Sequence, residues 1–147
     1  MINYKKILLF PINLLDVKLS ELSVKKSKGA QTQSKKQSVK LKPETWSELD
    51  EENNLGYMYL KLNCSIKYKN ENFKIVICYK GICKNNLEES ISNEKFSKFL
   101  EIQALKSLWP YMRETLNDIS FKVGIPSIVL PTVDTLKMAE MNGDEKK

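Results

Sequence analysis

The sequence predicts an α+β chain in which a four-stranded antiparallel sheet packs against two C-terminal helices. Two alternating apolar runs, Tyr57 to Tyr68 and Phe73 to Tyr79, face each other across a short polar turn. At Ser92 and Asn93 the apolar spacing changes from two to steps of three and four. Beyond that, Gly124, Ile125 and Pro126 make a helix stop. Strands first and helices after them is the order of a sheet with its helices gathered on one face.

The first strand is expected between Phe10 and Val24, where Phe10, Ile12 and Leu14 alternate, slip to Leu15, Val17 and Leu19, and slip again to Leu22 and Val24. Alternation broken by single-residue slips is the pattern of a bulged strand. Val39 and Leu41 mark a short second strand from Ser38 to Lys42, ended by Pro43, which cannot donate to a ladder. Glu44 to Asn54 is polar apart from Trp46 and Leu49 and reads as a loop. The third strand is Tyr57 to Tyr68, with Met58, Leu60, Leu62, Cys64 and Ile66 on one face and Lys61, Asn63, Ser65 and Lys67 on the other. Lys69 to Asn72 turns the chain, and Phe73, Ile75, Ile77 and Tyr79 carry the fourth strand.

Phe96, Phe99, Ile102, Leu105, Trp109, Met112, Leu116, Ile119 and Val123 lie along one helical stripe. Pro110 interrupts it, so a helical lead-in ending near Leu108 and a fresh helix from Pro110 are expected. Ser127 to Pro131 is extended and apolar, and a last helix is expected from Thr132 or Asp134 to Asn142. The 147 residues thus form a single domain: residues 1–91 the sheet with a basic loop at 25–42, residues 92–142 the helical part, and residues 143–147 a tail.

Composition narrows the chemistry. Histidine is absent, which removes the commonest general base and the commonest transition-metal ligand, and an enzyme is not expected. Cys64, Cys78 and Cys83 fit neither a redox pair nor a zinc knuckle and read as buried thiols. The five glycines are isolated, so there is no phosphate-cradling loop, and neither metal nor other cofactor is expected. No run reaches the roughly 20 apolar residues of a membrane span, and Pro11, Asn13 and Asp16 interrupt the apolar stretch behind Lys5 and Lys6, so a cytoplasmic protein without membrane insertion is expected. The net charge of +6 is concentrated between Val24 and Lys42, which holds seven lysines and no acid. That loop keeps a basic nucleic-acid-binding module as an alternative, although it carries no aromatic residue for stacking on bases.

The run Leu108 to Thr115, LWPYMRET, followed by Gly124, Ile125 and Pro126 and by Leu130 and Pro131, resembles the helical core of the SecB export chaperones. Val17 to Val24, Val39 to Leu41 and the hairpin from Tyr57 to Cys83 are similar in order and spacing to that family's four strands. The resemblance implies an ATP-independent holdase for unfolded or presecretory polypeptides, built as a homotetramer, a dimer of dimers. It also implies docking onto the SecA motor through acidic residues of the sheet. Glu21 stands at one such place, whereas Lys25, Lys74 and Val76 occupy others. The charge reversal raises the alternative of a dedicated chaperone for one client, such as the antitoxin of a toxin–antitoxin pair.

A holdase needs exposed, adaptable apolar side chains. Trp109, Tyr111 and Met112 on the long helix, with Leu130, Val133, Leu136 and Met138 beyond it, are the expected client groove. Leu100, Leu105, Leu108 and Leu116 are the expected contact between protomers.

Overall fold

The computed structural model describes residues 14–29, 37–84 and 93–130. They form β1 (Leu14–Lys28), β2 (Ser38–Asp50), β3 (Leu55–Tyr68), β4 (Glu71–Lys84) and one helix, α1 (Asn93–Val123). All strand pairs are antiparallel, and the sheet order is β1-β4-β3-β2, which leaves β1 and β2 as edges.

Alternation fixes the two faces of the sheet. Met58, Leu60, Leu62, Cys64 and Ile66 of β3 pair with Gly81, Tyr79, Ile77, Ile75 and Phe73 of β4, and these side chains share the inner face that α1 covers. The slips in the first strand are real. Register shifts fall between Leu14 and Asp16 and between Leu19 and Glu21, and they keep Leu14, Val17, Leu19, Leu22 and Val24 all opposite inner-face residues of β4. The strand also continues to Lys28, past the expected end at Val24, because Lys25 to Lys28 pair with Lys74 to Glu71.

Two expectations are corrected. The second strand does not stop at Pro43: β2 runs on to Asp50, and Pro43 lies opposite Leu62. An edge strand has one side without a ladder partner, which is where proline is tolerated. The expected loop from Glu44 reduces to a tight turn at Glu51–Asn54, with Asn54 at φ 54°. This half of β2 lacked an apolar signal because Thr45 and Ser47 stand at its inner positions; the Ser47 hydroxyl donates to the Ser97 carbonyl of α1 at 3.1 Å.

The second correction concerns the helix, which is continuous through Pro110 for 31 residues. The proline denies the Lys106 carbonyl its usual N–H partner. Pro110 is exposed, while the buried stripe from Phe96 to Ile119 runs on without interruption. The last helix expected from Thr132 lies outside the described residues.

α1 begins above the β2–β3 turn, where the Asn93 amide donates to the Glu51 carboxylate. Gly56 permits this approach, since a Cβ there would stand 2.6 Å from Leu100 Cδ1 and 3.0 Å from the Phe96 ring. By its middle α1 has reached β4, with the Thr115 and Tyr79 hydroxyls in contact and the Tyr111 ring 5.8 Å from that of Tyr79. The helix ends as the sequence predicts. Gly124 adopts φ 78°, and the Ile125 N–H bonds back to the Ser120 carbonyl at 3.1 Å.

All three cysteines are free and buried. Burial pushes the thiols of Cys64 and Cys83 from 9.0 up to about 11. The folded chain therefore keeps both protons in a range where the unfolded chain releases them. This contribution to stability is complete below about pH 9 and is lost as pH rises toward about 11, at no more than ~1.4 kcal/mol per pH unit for each thiol. Urea titrations across that window are expected to show the wild type losing stability with pH more steeply than a Cys64→Val/Cys83→Val variant.

Candidate functional site

The structure separates the predicted site residues. Trp109, Met112 and Leu130 are 7%, 0% and 1% exposed and belong to the core, whereas Tyr111 is 41% exposed. Val133, Leu136 and Met138 lie outside the described residues. Leu100, Leu105, Leu108 and Leu116 are buried within this single chain. α1 turns their side of the stripe onto the sheet.

The apolar surface that remains open was hidden in the sequence among ordinary strand residues. α1 lies over β2, β3 and β4. The inner-face residues of β1 stand beside that covered area, and Leu19, Leu22 and Val24 are 45%, 48% and 40% exposed. In register they lie opposite Tyr79, Ile77 and Ile75. Tyr79, half-buried, joins this row to Tyr111, so one apolar strip runs from the middle of α1 across β4 and along β1. The signal that could have found it was the position of the doubly slipped strand: an edge strand under a single helix has inner side chains that the helix is too narrow to cover. Phe121 and Val129 are also largely exposed.

Among the described residues β1 is an edge strand, so a row of its backbone N–H and C=O groups has no ladder partner there and adjoins the strip. Together they offer an extended guest chain two kinds of contact: apolar packing, and hydrogen bonds that do not depend on the guest's sequence.

On the outer face Glu21 meets Lys61 at 3.4 Å, across the Cys78 position of β4. Burial above all pushes the Cys78 thiol up. Trp46 stacks on Tyr59 at 5.0 Å, and Lys80 Nζ lies 4.2 Å from the center of the Tyr57 ring. Burial and the neighboring Glu48 carboxylate raise the Tyr59 hydroxyl to about 12. Among the described residues no group of three or more candidate ligands could hold a metal ion, and no helix is long and apolar enough to cross a membrane.

A four-stranded antiparallel sheet in the order β1-β4-β3-β2 with one long helix across its inner face is the fold of SecB-like chaperones. The SecB-like chaperone of Mycobacterium tuberculosis, solved with a ChAD peptide from the HigA1 antitoxin, superposes with a TM-score of 0.72 at 13% identity, over 84% of this chain and 91% of that one. A Streptococcus agalactiae protein of unknown function aligns over 84% of this chain and all of its own at 10% identity, with a TM-score of 0.41 that is too low to inform the fold. Residues 8–143 match the model of the family described as preprotein translocase subunit SecB, and the chain belongs to that family. Among curated proteins none is significantly similar.

Proposed function

We propose that the chain is a non-enzymatic, ATP-independent chaperone of the cytoplasm that holds polypeptides in an extended, unfolded form. The observation that carries this reading is the open apolar strip of Leu19, Leu22 and Val24 beside Tyr79 and Tyr111, on the edge strand that adjoins the buried core. Family membership supports it. Leucine, valine and tyrosine side chains on one rail provide area without a shaped pocket, which gives breadth rather than selectivity. Affinity then comes from several weak contacts made by one chain.

A dedicated client is the second reading, favored by the antitoxin peptide bound to the Mycobacterium tuberculosis neighbor. A homotetramer is proposed with either reading, held through the outer side of α1, where Phe121 is 85% exposed. SecA docking has weaker support, because Glu21 is engaged by Lys61, and Lys25 and Lys74 stand two rows further along the same face.

Leu22→Glu tests the strip. The side chain is half exposed, so folding measured by circular dichroism is expected to be unchanged, while suppression of aggregation of a reduced, unfolded client falls several-fold. Intact suppression in the folded variant would remove the strip from the mechanism. A fall in mass by light scattering, with suppression intact, would assign it to contact between protomers.

A further inference from the structure

The outer face of the sheet is divided in a way that the net charge conceals. Register places Asp16, Glu21, Glu44, Glu48 and Asp50, all of its described strand acids, at the end of the face nearer the β2–β3 turn. The end nearer the β3–β4 turn holds Lys25, Lys40, Lys42, Lys67 and Lys74 and no acid. Lys25 and Lys74 are directly opposite one another, and Lys40 follows in the same row beyond Ser65. Serine and asparagine fill most of the positions between them, such as Ser23, Ser27, Ser65, Asn63 and Asn72.

All five of these lysines are exposed. Lys42 reaches Glu44 on the adjoining row at 3.9 Å. The ion pairs recorded among the described residues include none from Lys25, Lys40, Lys67 or Lys74. Like charges directly opposite in a sheet oppose folding, so Lys25 beside Lys74 works against the sheet that holds them.

We propose that this half of the outer face is a docking surface for an acidic segment of a partner polypeptide. Charge complementarity carries the assignment, and three features select carboxylates over a polynucleotide. Every cation of the patch is a lysine, a point charge without the planar fork that arginine offers to phosphate. The aromatic rings of this face, Trp46, Tyr57 and Tyr59, lie in the other half, beside Glu48 and Asp50 and under Lys80, so no base can stack next to the lysines. Third, successive outward positions of a strand are about 6.6 to 6.8 Å apart, the interval at which an extended acidic segment presents carboxylates on one side. Lys42 and Lys40 follow at that interval along β2. The surface is separate from the inner-face strip, so a partner can dock by its acidic part while an apolar stretch is held elsewhere.

The test uses the full chain and a fluorescently labeled oligoglutamate peptide followed by anisotropy. Binding is expected, weakening as salt shortens the reach of the lysine charges. Lys25→Glu/Lys74→Glu preserves the cross-strand repulsion and is expected to bind about tenfold more weakly or worse. Lys18→Glu/Lys84→Glu, with the same change in net charge on the acid-bearing half, is expected to bind as the wild type does. If Lys25→Glu/Lys74→Glu does not fold, Lys25→Gln/Lys74→Gln replaces it, with a smaller loss expected. Equal losses in the two pairs, or no binding of oligoglutamate, would overturn the proposal. So would a single-stranded oligonucleotide of equal charge that binds more tightly and is lost with the same pair. Suppression of aggregation of an uncharged unfolded client is expected to survive in Lys25→Glu/Lys74→Glu, which keeps this outcome distinct from failure of the chaperone reading.

Discussion

Leu116→Asp is expected to leave the chain unfolded, with helical circular dichroism lost and no cooperative urea transition. Leu116 is fully buried in the cluster that joins α1 to the sheet. Truncating such a leucine costs about 2–5 kcal/mol in lost apolar contact and cavity formation. The aspartate adds a buried carboxylate, and the buried polar side chains of the described core, Gln103 and Ser120, are not cations. A buried charge without a partner costs several kcal/mol more, or is neutralized by taking up a proton. The sum matches the whole stability of a small domain, about 5–15 kcal/mol. Leu116→Ala keeps the experiment informative: it is expected to fold, to lose about 2–5 kcal/mol, and to retain its mass in light scattering. A variant that instead kept its stability and lost mass would place Leu116 at a contact between protomers.

That reversal of role shows how far the sequence could be read. The stripe from Phe96 to Ile119 identified a helix with one buried side, but it carries no information on whether a sheet or a second protomer covers that side. In the structure α1 covers β2, β3 and β4, and its leucines pack in the core between them. The hairpin of β3 and β4 was legible because apolar residues recur at every second position of both strands, from Met58 to Ile66 and from Phe73 to Tyr79. β1 was legible through its slips, which the register shifts account for residue by residue. The second half of β2 was not, since Thr45 and Ser47 take inner positions without an apolar signature. The apolar strip escaped for a different reason. Leu19, Leu22 and Val24 look in sequence like any inward strand residues, and their exposure follows from the strand order, which puts β1 at an edge beyond the reach of the helix. Charge segregation on the outer face likewise needs the register, because Lys25, Lys40 and Lys74 are far apart along the chain and share one row of the sheet.

Pro110→Ala is expected to raise stability, by about 1–2 kcal/mol, and to weaken chaperone activity. A proline in a helix interior costs about 3 kcal/mol relative to alanine, through the lost hydrogen bond and the clash of its ring with the carbonyl four residues earlier. Alanine restores a backbone N–H inside the helix and removes the ring. Part of the gain is offset because Trp109 and Met112, on either side, are packed in a core formed around the proline-bearing helix. The replacement removes no buried atoms, since Pro110 is exposed, and the urea midpoint is expected to rise with its slope unchanged. Proline bends the helices that contain it. Within about a turn and a half beyond Pro110 are Tyr111, against the Tyr79 ring, and Thr115, against the Tyr79 hydroxyl, the contacts that bring α1 to the apolar strip. A change in the course of the helix at this point is expected to shift Tyr111 against Tyr79 and separate the two ends of the strip. Greater stability with poorer suppression of client aggregation would show that the proline opposes helix stability and serves to aim α1 at the strip. A variant that loses stability would show instead that the core from Trp109 to Leu116 packs only along the course the proline sets.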